Sequence, residues 1–79
     1  NSRTAIRFAL PIRAPIELAL YNLTGQKVAT LVKGSRQAGT HTIHWDGRDT
    51  HGRALASGVY LYRLRAGERV ETRRLLLLK

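Results

Sequence analysis

Apolar and polar residues alternate through most of this chain, with the two-residue period of an extended strand. Thr4, Ile6, Phe8 and Leu10 fall on one side, and Ala5, Arg7 and Ala9 on the other, the pattern of a half-buried strand. Pro11 ends the run, because proline has no N–H to give to a ladder, and Pro15 opens the next. Ile16, Leu18 and Leu20 then face inward, with Glu17, Ala19 and Tyr21 opposite. Asn22 to Gln26 carries turn chemistry, and Gly25 is free to take positive φ. Between Lys27 and Val32 the apolar residues Val28, Leu31 and Val32 break the alternation, which predicts a bulge or a switch of sheet.

Lys33 to Gly39 reads as a loop and Thr40 to Trp45 as a further strand, with Ile43 and Trp45 on one face beside His41. A polar loop follows from Asp46 to Arg53, and Ala54 to Ser57 reads as a short edge piece. Val59 to Ala66 is a strong strand that turns Tyr60, Tyr62 and Leu64 inward and Arg63 and Arg65 outward. Gly67-Glu68 makes a hairpin turn, and Arg69 to Leu78 pairs back as the last strand. No segment has a helical period. Short strands separated by glycine-bearing turns predict an all-β domain, a sandwich or barrel. There is no linker, repeat or low-complexity tract, so residues 1–79 read as one unit.

Composition narrows this picture. A chain of 79 residues holds one small domain with a marginal core, and a hydrophobic content of 43% argues against disorder. There is no cysteine, which excludes a disulfide framework, a thiolate metal site and a cysteine nucleophile. There is no methionine, even at position 1, so the segment is expected to derive from a larger protein. No secretory leader opens the sequence, and no apolar run reaches the roughly 20 residues of a membrane helix. The net charge is +9, which suits an acidic partner such as nucleic acid, anionic lipid or lipopolysaccharide, or an acidic polymer. It equally suits an arginine-rich composition spread over solvated strand faces: Arg3, Arg7, Arg13, Lys27, Arg36, Arg53, Arg63, Arg73 and Lys79 span the whole chain. No nucleic-acid signature accompanies the charge.

Candidate chemistry is sparse. Asp46, Asp49 and His51 form the one cluster of metal-ligand types, but calcium needs about 6–8 oxygens and zinc needs more His or Cys. Asx-turns account for the same residues more simply. His41 and His44 lie three apart on a strand and so point to opposite faces. Ser57, in Ala56-Ser57-Gly58, lacks the setting of an activated nucleophile. No catalytic residue and no cofactor is therefore expected. Trp45, Tyr60 and Tyr62 are read as core residues ahead of a stacking platform. Tyr21, on the face opposite Leu18 and Leu20, is the candidate ligand-surface aromatic, either exposed or stapling the far sheet.

Several stretches carry a family resemblance. Thr4 to Pro11, Leu18 to Leu31, Ala38 to Asp49, Ser57 to Leu64 and the basic-then-apolar end Arg73 to Lys79 resemble, in order and spacing, the C-terminal sorting domains of type IX secretion. The same pattern is similar to the immunoglobulin-like domain of flagellar hook-capping proteins. The resemblance implies an immunoglobulin-like antiparallel sandwich of about seven strands at the C-terminus of a larger secreted protein. It implies sorting and attachment at the outer-membrane surface without catalysis. It also implies secretion-translocon partners, surface polysaccharide in reach, and signal residues Gly58, Tyr60, Arg73, Arg74, Leu75, Leu76, Leu77, Leu78 and Lys79. Two alternatives stand beside it. One is an accessory module of a secreted hydrolase that grips polysaccharide or another anionic polymer. The other is a structural spacer that only mediates protein contacts.

Overall fold

The structure is a computed structural model and describes residues 4–78; Asn1, Ser2, Arg3 and Lys79 lie outside the described residues. Six strands follow one another: β1 (Thr4–Leu10), β2 (Ala14–Tyr21), β3 (Lys27–Arg36), β4 (Gly39–Trp45), β5 (Gly58–Ala66) and β6 (Arg69–Leu77). They build two antiparallel sheets. One holds β1 and β4, and the other has the order β3-β2-β5-β6. The inward residues of both sheets share one apolar cluster, with Ile6, Leu10 and Trp45 from the first packed among Ile16, Leu18, Leu20, Tyr60, Leu64 and Leu77 of the second. This is an immunoglobulin-like β-sandwich.

Alternation places the core. In β1, Ile6 and Leu10 are buried while Ala5, Arg7 and Ala9 are exposed. Leu18, Leu20 and Leu77 have no exposed surface and Trp45 retains 1%. Burying one such side chain contributes about 1.5–3 kcal/mol, so a few positions carry much of the stability of so short a chain. Trp45 joins the sheets, its indole meeting the Tyr60 ring edge-on at 5.5 Å and 78°. That geometry sets the positive ring edge against the negative face.

The broken alternation in β3 is a double bulge. The register runs Leu18↔Val32, Ala19↔Thr30, Leu20↔Ala29 and Tyr21↔Lys27, so Leu31 and Val28 are the unopposed residues. Each insertion resets the phase, which keeps Val32 and Ala29 on the core side with Leu18 and Leu20. β3 also runs further than its sequence predicts: Lys33, Gly34, Ser35 and Arg36 pair with Glu17, Ile16, Pro15 and Ala14. The expected loop from Lys33 to Gly39 therefore shrinks to Gln37-Ala38, with Gly34 taking φ 134° inside the strand.

The strand count is six among the described residues, one fewer than expected. Ala54 to Ser57 makes a single bridge, Arg48↔Ala54. The Leu55 N–H is taken by the Gly47 carbonyl at 2.9 Å, which folds the segment back on its own loop and leaves it no partner strand. Ala19 also departs from expectation. It belongs to the outward set, yet only 1% of it is exposed. It lies directly opposite Thr30 on β3 and Arg63 on β5, and long neighbouring stems cover a small residue.

Candidate functional site

The polar loop between β4 and β5 is built to hold its own shape. The Trp45 indole N–H donates to the Arg48 carbonyl at 3.0 Å, and Asp46 Oδ1 accepts the Arg48 N–H. Asp49 Oδ1 accepts the N–H groups of His51 and Arg53, both at 2.9 Å, while its Oδ2 meets Arg53 Nε at 3.2 Å. These bonds hold the Asp49 carboxyl below its ordinary range, the Arg53 N–H being the largest cause and desolvation opposing it. The loop is anchored to the sheet as well. Thr50 N–H donates to the carbonyl of Val28 at 3.0 Å, the bulged residue whose backbone the ladder leaves unopposed. Asp46, Asp49 and His51 thus serve as turn-formers, and no group of three or more His, Asp or Glu converges among the described residues.

Gly58 and Tyr60 form a corner. Gly58 opens β5 at φ 153°, and the Tyr60 hydroxyl donates back to the Ala56 carbonyl at 2.7 Å. Tyrosine corners of immunoglobulin-like sandwiches use the same return bond to pin a strand entry. Tyr60 is buried, and both residues are explained by this local structure. His41 stacks on Phe8 at 5.3 Å and its Nε2 bonds the Gln37 carbonyl, whereas His44 is exposed on the opposite side of β4. The two imidazoles do not converge.

The run from Arg73 to Leu78 is buried only toward its end. Leu77 is buried and Leu75 half-buried, while Arg73, Arg74, Leu76 and Leu78 are exposed. Arg73 Nη2 lies 3.9 Å from Glu71 Oε1, and Arg69 also leans on Glu71. At one end of the sandwich a groove of about 270 Å³ is lined by Leu10, Ile12, Leu64, Ala66, Arg69 and Glu71, among others.

Tyr21 does not staple the far sheet. It stays on the outer face of its own sheet, half-buried, beneath Arg63. The Arg63 guanidinium carbon lies 4.9 Å from the centre of the ring, and Nη2 donates to the Tyr21 hydroxyl at 2.6 Å. No local pattern could find this pair, because 42 positions separate its members. Around it the register gathers a basic face: Lys27 and Lys33 on β3, Arg63 and Arg65 on β5, and Arg74 on β6. Glu17 is the one carboxylate of this face among the described residues. It pairs with Lys27 at 3.1 Å, and its carboxyl is held below the ordinary range, first by the Lys27 hydrogen bond and charge and then by Lys33 and Arg65. The sequence showed dispersed charge; the sheet concentrates part of it.

These features define a class of protein. An immunoglobulin-like sandwich presents a shaped, charged surface, and among the described residues no buried side-chain nitrogen or oxygen lacks a partner. A family model described as the FlgD Ig-like domain matches residues 1–70, and the chain belongs to that family. The crystal structure of FlgD from P. aeruginosa aligns with a TM-score of 0.73 at 22% identity, over 95% of this chain and 58% of that one. At that identity the likeness establishes the fold alone, and the chain spans little more than half of the structure it matches. No curated protein matches the chain.

Family membership corrects the expected role. The hook-capping side of the resemblance holds, and the type IX sorting side is overturned. With it fall the translocon and surface-polysaccharide partners, the placement at the outer-membrane surface, and the accessory polysaccharide-binding alternative. At the basic-then-apolar end, Leu75 and Leu77 are inward residues of a strand in the sheet.

Proposed function

We propose that this chain is a non-catalytic structural domain of a longer protein, a rigid spacer that mediates protein contacts in an assembly of the flagellar hook-capping kind. Membership of the FlgD Ig-like family over residues 1–70 carries the reading. The geometry agrees with it. The polar loop and the tyrosine corner are accounted for by hydrogen bonds inside the fold. A sandwich whose β4–β5 loop is bonded to itself and to β3 suits a part that sets distance and orientation. Its partners in this reading are other structural proteins.

The test removes residues 4–77 from the parent chain and follows incorporation of the truncated protein into its assembly by fractionation and cross-linking. Loss of incorporation is the expected result. Recovery with an unrelated sandwich of the same span assigns the spacing role, and failure to recover assigns the contacts to this surface. Incorporation of the truncated chain at the full-length level overturns the reading.

A further inference from the structure

The outer face of the four-stranded sheet has an organisation that the structural reading does not require. Arg63 and Arg65 are two apart on β5 and project on the same side. Arg74 sits opposite Leu61 while Arg63 sits opposite Thr72, so Arg63 and Arg74 are diagonal neighbours, about 7–8 Å apart. Lys33 adds a fourth cation across Glu17. Among the described residues no carboxylate lies within ion-pair distance of Arg63, Arg65, Arg74 or Lys33, although Arg48, Arg53, Arg69 and Arg73 elsewhere each have one. Like charges packed this closely oppose one another, and a bound anion relieves that cost.

Beside the cations lies an apolar end. Val59 and Leu76 are directly opposite one another across β5 and β6, 39% and 53% exposed. Arg63 is already fixed by Tyr21 beneath it, so engaging an anion costs it less side-chain freedom. We propose that this face docks an extended acidic segment of a partner protein, with alternate carboxylates on Arg63, Arg65 and Arg74 and an apolar residue on the Val59–Leu76 pair.

Spacing favours this occupant. Alternate side chains of an extended segment repeat at about 6.6–6.8 Å, the same spacing as Arg63 and Arg65 on β5, and guanidinium forks match carboxylates bidentately. A second copy of this chain would set like charges together. A single nucleic-acid strand would want open aromatic faces for its bases, and the aromatic ring of this patch, Tyr21, is covered by Arg63. The inference rests on the reading of the chain as a contact domain, and it adds the surface and the chemistry of the partner.

The test is a fluorescence-anisotropy titration of the purified chain with a labelled peptide bearing glutamate at alternate positions and an apolar end. The expected result is saturable binding that weakens roughly tenfold or more in the double variant R65E/R74E. It should also weaken as salt rises from about 0.1 M to about 1 M, where the screening length falls from about 10 Å to about 3 Å. Both substitutions are at exposed positions, and circular dichroism confirms that the variant is folded. Arg7→Glu, on exposed β1, makes the same charge change as either R65E or R74E singly; it reports net charge alone and should shift affinity less than about twofold, where each single variant on this face shifts it more. An equal loss in Arg7→Glu, no saturable binding, or tighter binding of an oligo-dT strand or an anionic vesicle overturns the proposal. A failed titration together with lost incorporation on deletion removes only the surface assignment; retained incorporation on deletion removes the reading beneath it.

Discussion

The two faces of the four-stranded sheet are written on the same strands and obey opposite constraints. On the inner face Leu18, Leu20, Leu64 and Leu77 are buried against the two-stranded sheet. On the outer face Lys33, Arg65 and Arg74 are exposed. Positions one residue apart differ by the whole distance between core and solvent, because successive side chains point to opposite sides. The inner face answers to packing, where removing a few methylenes leaves a cavity. The outer face answers to water, so its residues are free to be chosen for what they meet. That freedom is why the basic cluster carries information about partners and the leucines do not.

Leu20→Ala tests the inner face and has the largest expected effect. It removes a side chain with no exposed surface and should cost about 2–5 kcal/mol. A domain of this length has roughly 4–12 kcal/mol in total, so the urea midpoint should fall by a large fraction of its value. Arg65→Ala, three positions from Tyr62 on the other side of the sheet, should stay within about 0.5 kcal/mol. Equal effects at the two positions would erase the distinction between the faces.

Tyr60→Phe probes a polar tip within the inner face. It keeps the ring against Trp45 and deletes the hydrogen bond to Ala56, leaving a carbonyl to find another donor. The expected loss is about 0.5–1.5 kcal/mol in chemical denaturation. A neutral result would show that the corner is held by Gly58 and ring packing alone.

The outer face is not uniformly indifferent, and the Tyr21–Arg63 pair is the place to see it. A double-mutant cycle with Tyr21→Leu and Arg63→Leu should return a coupling of about 0.5–2 kcal/mol, the range for a cation on an aromatic face from exposed to desolvated sites. A coupling of zero would make the contact incidental and weaken the claim that Arg63 is held ready for an anion.

What the sequence made legible follows from range. Period two located β1, β2, β4 and β5, because each strand's facing is a local property, and the Gly67-Glu68 hairpin turn placed β6. It also flagged β3, where Val28 and Leu31 break the alternation, though only the pairing with β2 shows that two bulges restore it. Pairing likewise carries β3 on to Arg36, since the partner residues Ala14 to Glu17 lie some twenty positions away. The bridging of Trp45 to Tyr60 and the covering of Ala19 by its neighbours are cross-strand facts of the same kind. The basic face is the clearest case. Lys27, Lys33, Arg63, Arg65 and Arg74 look scattered along the chain, and only strand order sets them side by side.

The smallest effect concerns the lone carboxylate of the outer face. Glu17 is held below its ordinary pKa chiefly by the Lys27 hydrogen bond and charge. A carboxyl whose folded pKa is depressed stabilises the fold above its unfolded value, near pH 4, and loses that contribution as pH falls through the folded pKa. Glu17→Gln should therefore lower Tm slightly at pH 7, and the gap to wild type should close as pH drops below about 4. Asp49→Asn should show the same closing, because its carboxyl is depressed too. The two differ in their response to salt. Glu17 owes its shift first to a hydrogen bond from an exposed ammonium and then to that ammonium's charge, and about 1 M salt screens the charge. Asp49 owes its shift first to a backbone N–H, a short-range bond that salt leaves in place. Calorimetry at pH 7 in low and high salt should shrink the Glu17→Gln difference and preserve the Asp49→Asn one. A Glu17→Gln difference that survived high salt undiminished would mean that the outer face is held by directed hydrogen bonds, and its charges would then be less free to turn toward a partner.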